Sequence, residues 1–494
     1  MYFPRASGIL LHPTSLPGPF GIGDLGNQAY RFIDFLVNTG QHLWQILPLG
    51  PLGYANSPYQ CLSDFAGNPL LISPEVLLEE GFLKPTDLEN VPSFPQDRTD
   101  YETVRQFKEH LLKTSFTVFK KKNKGQQEPF ETFCEHNKSW LDVYAMFMAL
   151  REAQSFKAWN TWEPGIRKRQ PKALEGWEGK LYDEILFHKY QQYQFFKQWY
   201  ELKKYCNDRA IKLIGDIPMF VSIDSDTVWS RPDVFYLDSK GIPTVVGGVP
   251  PDHFSKTGQR WGNPLYRWEI IGKDSYAWWI ERFEATLRLV DIVRLDHFRG
   301  FESYWEVAVK YKTAVKGHWV PGPGAELFES VKKRLGAIPV IAEDLGTITP
   351  EVDNLRDQLA FRGMRVLQFA FGANGSSRHK PHNYPRNCVV YTGTHDNNTT
   401  IGWFSELKKR GVRETLKYMG SDGREINWDF IRLALMSCAD TVIIPLQDVL
   451  GLGSEARMNH PGTVTGNWGW RFTHDMLTDK IKVRLKELTD LYER

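Results

Sequence analysis

Cysteine is scarce in this chain and follows no pattern. Cys61, Cys134, Cys206, Cys388 and Cys438 are odd in number, widely scattered and never arranged as CxxC. That spacing excludes a disulfide framework and points to reduced thiols in a cytosol-like compartment. Long apolar runs are also missing. No stretch of about 18 apolar residues occurs that could span a bilayer, and Met1-Tyr2-Phe3-Pro4-Arg5 shows no charged leader followed by an apolar run. The expectation is a cytoplasmic protein with no membrane partner. Neither sign of charge is in excess: Lys+Arg of 61 against Asp+Glu of 59 leaves +2. No global field therefore draws phosphate backbones or anionic lipid, and nucleic acid is not an expected partner. A neutral molecule is. Nothing in the sequence sets the oligomeric state, and a monomer is compatible with it.

Aromatic rings are plentiful, at 14% of residues with 17 Trp. Such rings fill cores first, but they also stack on the apolar faces of sugars. At 494 residues the chain exceeds one minimal domain, yet a barrel with insertions reaches this size as a single unit.

Eight short apolar, β-rich runs end in polar or Gly/Pro residues, as strands of a doubly covered parallel sheet do. They are Gly8–Pro13, Leu43–Leu49, Ile211–Phe220, Asp291–His297, Ile338–Leu345, Met364–Phe371, Cys388–Asp396 and Thr441–Asp448. Helical patterns lie between them; over Ala277–Leu289, Trp279, Ile280, Phe283 and Leu287 share one face. This alternation predicts an α/β fold, a (β/α)8 TIM barrel spanning 1–494. The gap from the second to the third strand is far longer than one helix needs, which predicts a mainly helical inserted subdomain at 58–205. A second insertion is expected at 221–276.

Several local patterns are set aside. The run Lys120–Gln127 is basic but reads as a solvated loop. Gly21-Ile22-Gly23-Asp24-Leu25-Gly26 matches GxGxxG, yet Pro17 and Pro19 separate it from the strand. The acidic residue expected about 20 positions on is also missing. His379 with His382 reads as a surface loop without a third ligand, and Asp224 with Asp226 lacks the Gly and closing Glu of a calcium loop. No metal and no cofactor is expected.

Four of the strands end in ionisable residues, on the face where barrel enzymes carry their active sites. Asp216 ends the third, Arg294 and Asp296 the fourth, Glu343 and Asp344 the fifth, His395 and Asp396 the seventh. Strand alternation puts Arg294 and Asp296 on one face and Val293 and Leu295 on the other, against the helices. An Arg pointing inward needs a carboxylate partner, and its charge favours the ionised, nucleophilic form of Asp296. Burial and nearby carboxylates would keep Glu343 protonated, fit to act as general acid. Asp344 points the other way and is expected to bind loop backbone. Two carboxyls in these roles, about 5 to 5.5 Å apart, are what retaining glycoside chemistry requires, and the third, Asp396, is left to bind sugar hydroxyls. Other barrel chemistries stay open at this point.

The segments Asp291-Ile292-Val293-Arg294-Leu295-Asp296-His297-Phe298-Arg299-Gly300, Ala342-Glu343-Asp344-Leu345-Gly346 and Thr394-His395-Asp396-Asn397 resemble the signature regions of the α-amylase clan. End to end, the chain resembles the amylomaltases, or disproportionating enzymes, of glycoside hydrolase family 77. The specific matches are Gly8 to Gly18, Ala55-Asn56-Ser57-Pro58-Tyr59, Gly215-Asp216-Ile217-Pro218, Gly258-Gln259-Arg260-Trp261-Gly262-Asn263-Pro264 and Asn467-Trp468.

The resemblance implies 4-α-glucanotransferase activity on α-1,4-glucans, namely maltooligosaccharides, amylose, and glycogen or starch chains, with glucose as a further acceptor. It implies Asp296 as nucleophile, Glu343 as acid/base and Asp396 as the donor-sugar ligand that stabilises the transition state. Arg294, His395 and Asp216 support that sugar, and Tyr59 stacks on it. Ser57, Gln259, Trp261 and Asn263 bind substrate, and Tyr54 with Tyr101 forms a secondary glucan site. Val246 to Phe254 resembles the family's flexible acceptor-side lid, where Phe254 is expected to help hold an acceptor. His253 departs from the residue often found at its position. The added β-sandwich and starch-binding modules of many amylases are not expected.

Overall fold

The computed structural model describes residues 5–251, 255–372 and 375–494, apart from the side chains of Lys124 and Gln126. Eight strands close a barrel: Ala6–Leu10, Leu43–Gln45, Lys212–Ile217, Ile292–Leu295, Val340–Ala342, Arg362–Val366, Cys388–Tyr391 and Thr441–Pro445. Each pairs in parallel with the next in sequence, and the last closes on the first. Every strand overlaps one of the eight runs read from sequence, although the first and the sixth begin two residues ahead of theirs, at Ala6 and Arg362. The true strands are shorter, because the C-terminal ends of the runs turn into the loops that carry chemistry.

Alternation along the strands sorts the core into two layers. Leu10, Leu43, Ile214, Ile292, Ile341, Met364, Val389, Tyr391 and Ile443 fill the lumen. Ile9, Trp44, Leu213, Val293, Leu295, Val390 and Ile444 face outward into the helices. The helix Ala277–Leu289 lies where its periodicity placed it, with Trp279 and Phe283 fully buried and Ile280 and Leu287 packed at its margin.

The long gap between the second and third strands is helical, with Tyr101–Phe119, Lys124–His136, Lys138–Ala153 and Tyr182–Asp208 as its main elements. Asp100 caps the first through the amides of Glu102 and Thr103. Tyr182–Asp208 is bound to the barrel's helical layer: Trp199 Nε1 donates to Leu289 O at 2.9 Å and the Tyr205 hydroxyl to Asp34 at 2.9 Å. The basic run expected to be a loop is one only as far as Asn123; Lys124 onward opens a helix.

A four-stranded antiparallel sheet lies outside the barrel, in the order Gln259–Pro264, Val245–Val249, Ser303–Ala308, Gly317–Pro321. It joins the expected second insertion to the segment after the fourth barrel strand. No helix among the described residues is long and apolar enough to cross a membrane, and all five cysteines are free.

Candidate active site

The loops after the barrel strands enclose a cleft of about 520 Å³. Arg294, Asp296, Glu343, His395 and Asp396 line it, as do Tyr54, Ser57, Tyr59, Gln259, Trp261 and Asn263. At its floor one nitrogen, Arg294 Nη1, donates to Asp216 Oδ2 at 2.5 Å and to Asp296 Oδ1 at 3.0 Å. The Arg294 and Asp216 side chains are buried, whereas Asp296 keeps 30% of its side-chain surface, so the pair presents one carboxylate to the cleft. Asp216 Oδ2 also accepts from the Tyr59 hydroxyl at 2.7 Å, and its Oδ1 is buried without a partner. Burial pushes the Asp216 carboxyl up to about 7, against the opposing pull of Arg294.

Glu343 is gripped by backbone. Its Oε2 accepts from the amide of His297 at 2.8 Å and its Oε1 from that of Leu345 at 3.0 Å. Burial and the Asp296 charge nevertheless hold its carboxyl well above the ordinary glutamate range, outweighing Arg294 and the His297 amide. The neighbouring carboxyl groups thus differ in kind: both reach the cleft, but Asp296 is paired with a cation, while Glu343 is held by backbone amides and favours its proton.

Asp396 is more open, with 47% of its side chain accessible. Asn459 donates to its Oδ1 at 2.6 Å, and Arg457 grips its backbone carbonyl at 2.7 Å. The His395 ring stacks on Tyr59, with centroids 5.1 Å apart and an 18° tilt, and burial lowers its pKa. Trp468 leans on both rings. His297, Ala55 and Trp468, all lining the cleft, hold positive φ; such backbone strain gathers at functional sites.

The other residues named from sequence divide. Ser57 Oγ accepts from the Tyr59 amide at 3.2 Å, and Gln259 Oε1 from Trp261 Nε1 at 3.2 Å. Asn263 is buried, donating to Val221 O and accepting from Gln60. Tyr54 is 69% exposed, but Tyr101 is buried and its hydroxyl donates to Trp468 O at 2.8 Å. Only Tyr54 of that pair offers its ring to a ligand. Phe254 and His253 lie outside the described residues.

Asp344 points away from the cleft, as alternation required, but loop backbone is not its main partner. It accepts from the Met364 amide at 2.6 Å, from Arg356 at 2.6 Å and from Arg378 at 2.5 Å, with Arg365 at 3.5 Å. The GxGxxG segment is explained by packing: a Cβ at Gly23 would lie 2.0 Å from Pro13 O, and Asp24 pairs with buried Lys108 at 2.9 Å. His379 is not on the surface; it is buried and accepts from the Val366 amide. Asp224 meets Arg151 and the Trp159 amide, and Asp226 accepts from Ser63.

A family model described as 4-alpha-glucanotransferase matches residues 11–478. The chain belongs to the 4-alpha-glucanotransferase family, glycoside hydrolase family 77. The glucanotransferase is 50% identical to the 4-alpha-glucanotransferase of Synechocystis over 99% of this chain and 98% of that one. It is 47% identical to the 4-alpha-glucanotransferase of Thermus thermophilus over the whole of both. Its structure is similar to that of an amylomaltase from Streptococcus agalactiae in complex with acarbose, with a TM-score of 0.97 and 40% identity over 99% of each chain.

Reading the glucanotransferase sequence missed Asn459, Arg299 and Trp319, all of which line the cleft. Asn459 follows no motif. Arg299 sits inside the segment that resembles the clan signature, but its partners come from elsewhere in the chain. Trp468 was visible as part of the Asn467-Trp468 match, without a role.

Proposed function

We propose that this glucanotransferase moves α-1,4-glucan segments from a donor chain to the 4-hydroxyl of an acceptor glucan or glucose, by double displacement with retention. Asp296 attacks the anomeric carbon, and the departing glycosidic oxygen takes the Glu343 proton, leaving a glycosyl ester on Asp296. Glu343, now a carboxylate, removes the proton of the acceptor 4-hydroxyl as that oxygen displaces Asp296. Two inversions restore the α-linkage. Asp396, His395, Tyr59, Asp216 and Arg294 serve the donor sugar. Ser57, Gln259, Trp261, Asn263 and Tyr54 lie along the glucan path. The single observation that carries this reading is the contrast between Asp296, paired with Arg294, and the backbone-held Glu343 beside it, whose pKa burial and the Asp296 charge raise. That the similar streptococcal amylomaltase is in complex with acarbose supports a glucan ligand for this chain.

Incubation with maltotriose tests the reaction. Transfer yields glucose and a ladder of longer glucans at a nearly constant number of reducing ends. Hydrolysis with the same carboxylates would instead raise reducing ends at every cut, without longer products. An activated glycosyl fluoride tests the roles, since its first step needs little acid. With Glu343→Gln the sugar should accumulate on Asp296, and an adduct mapped to Asp344 or Asp396 would refute the assignment.

A further inference from the structure

The cleft wall below Glu343 is built around Arg299, a buried cation to which the mechanism above gives no task. Its Nη1 donates to Thr347 O, in the loop that follows Glu343, and its Nη2 reaches Ser303 Oγ at 3.4 Å. Its guanidinium lies over the Trp319 ring, 3.7 Å from the centroid, and its Nε is buried with no acceptor. This group is placed for stacking more than for hydrogen bonding. Trp319 is fixed from the other side as well. It stands opposite Trp305 across the outer sheet, edge to face at 5.1 Å and 69°. Trp305 is anchored by its Nε1 to Ala314 O at 2.9 Å, and a Cβ at Gly317 would lie 2.3 Å from that nitrogen. The next strand of the sheet continues the row through Gly248, and the adjoining Val249 and Pro250 line the same cleft. Trp319 is therefore a rigid, partly accessible aromatic surface in the wall.

Its position decides which sugar it meets. The donor-side groups Tyr59, His395, Asp396, Asn459 and Trp468 come from loops after the second, seventh and eighth barrel strands. Arg299, on whose face Trp319 lies, is instead bonded to Thr347, in the segment leading away from the acid/base, and Leu345, Gly346 and Thr347 line the same cleft. An acid/base faces the leaving oxygen and the incoming hydroxyl, so the chain beyond that oxygen runs toward this wall. Building on the transfer reading, we propose that Trp319, clamped by Arg299, is a specificity-determining residue of the acceptor side. It supports an acceptor sugar beyond the one that supplies the attacking hydroxyl, and so favours chain acceptors over free glucose.

The test uses the full-length enzyme, a maltotriosyl fluoride blocked at its terminal 4-hydroxyl, and either maltotetraose or glucose as acceptor. Trp319→Ala is expected to lower the maltotetraose-to-glucose ratio of acceptor kcat/KM about tenfold, mostly through the maltotetraose KM. Trp319→Phe should restore most of the ratio, and Arg299→Lys should lower it in the same direction, because an ammonium cannot keep the planar stack. An unchanged ratio overturns the assignment, whether both rates fall together with thermal stability or neither moves. Wild-type enzyme that consumes the fluoride with water and neither acceptor would overturn the transfer reading itself, an outcome recognisable before any variant is made.

Discussion

Arg294 and Asp216 form a buried ion pair at 2.5 Å, and the nitrogen that makes it also reaches Asp296 at 3.0 Å. The pair is a pedestal: Asp216 fixes the guanidinium from below, so the cation presents to Asp296 without having to be ordered when substrate arrives. Above about pH 7, where Asp216 is ionised, replacing Arg294 by Met leaves Asp216 buried without its countercharge, a loss that costs about 3 to 5 kcal/mol in comparable cases. Arg294→Lys keeps the charge but loses the planar head group. Urea unfolding should show a large loss for Met and a smaller one for Lys, and maltotriose disproportionation should fall at least about a hundredfold in both. Lysine activity close to wild type would mean that charge alone suffices.

The raised pKa of Asp216 has a consequence for stability. Burial moves the folded carboxyl from its ordinary 3.8 up to about 7, so its ion pair with Arg294 is complete only above that pH. A raised folded value gives a contribution that is fully present below the unfolded pKa and is lost as pH climbs through the folded one. Stability should therefore decline between about pH 4 and about pH 7 in the wild type, and this part of the slope should vanish in Asp216→Asn. Parallel unfolding curves at both pH values, wild type against variant, measure it; identical slopes would place the titration elsewhere.

How legible all this was differs by element. The barrel strands could be read because burial on both faces leaves unbroken apolar runs such as Thr441-Val442-Ile443-Ile444-Pro445. The outer sheet could not. Gly247 and Gly248 interrupt one strand, Gly262 at φ 85° bends another, and the partners Ser303–Ala308 and Gly317–Pro321 come from beyond the fourth barrel strand. The carboxylates stood out by their place at strand ends, and alternation gave the direction of Asp344. Its partners did not show, because Arg356, Arg365 and Arg378 converge on it only through the fold. The burial of Tyr101 and His379 is likewise a tertiary fact, carried by no local pattern.

Asp344 is the shared acceptor of that arginine cluster, and a Cβ at Gly363 would lie 2.4 Å from its Oδ2. Asp344→Ala leaves Arg365 without its carboxylate, while Arg356 and Arg378 keep Asp353 and Arg356 also Asp357. A loss of up to about 3 kcal/mol is expected from the one guanidinium left without a carboxylate. Gly363→Ala should destabilise in the same sense by pushing the carboxylate aside. Glu343 is held by the His297 and Leu345 amides, but the Asp344 charge is among those that raise its pKa, so surviving folded Asp344→Ala enzyme should lose activity at a lower pH than the wild type. An unchanged profile would show that the Asp344 charge does not reach Glu343.

The relation between Asp296 and Glu343 can be tested without turnover. Burial raises the Glu343 pKa first and the Asp296 charge raises it further, while Arg294 pulls it down. Asp296→Asn removes the negative charge, keeps the shape, and leaves Arg294 with Asp216 as its only partner among these carboxylates. Both effects favour the ionised form of Glu343, so its pKa should fall in the variant. Carbon-13 NMR titration of enzyme labelled at glutamate carboxyls reads this directly, with Glu343→Gln identifying the resonance. In the wild type the corresponding sign is a loss of maltotriose disproportionation on the alkaline side, as Glu343 gives up the proton that the leaving oxygen needs. With an activated fluoride donor, formation of the glycosyl-enzyme should keep its rate through the same pH range. A Glu343 resonance that titrates no lower in Asp296→Asn, or a fluoride reaction that fails together with the maltotriose reaction, would separate the two carboxyls electrostatically and remove the basis for pairing them as nucleophile and acid.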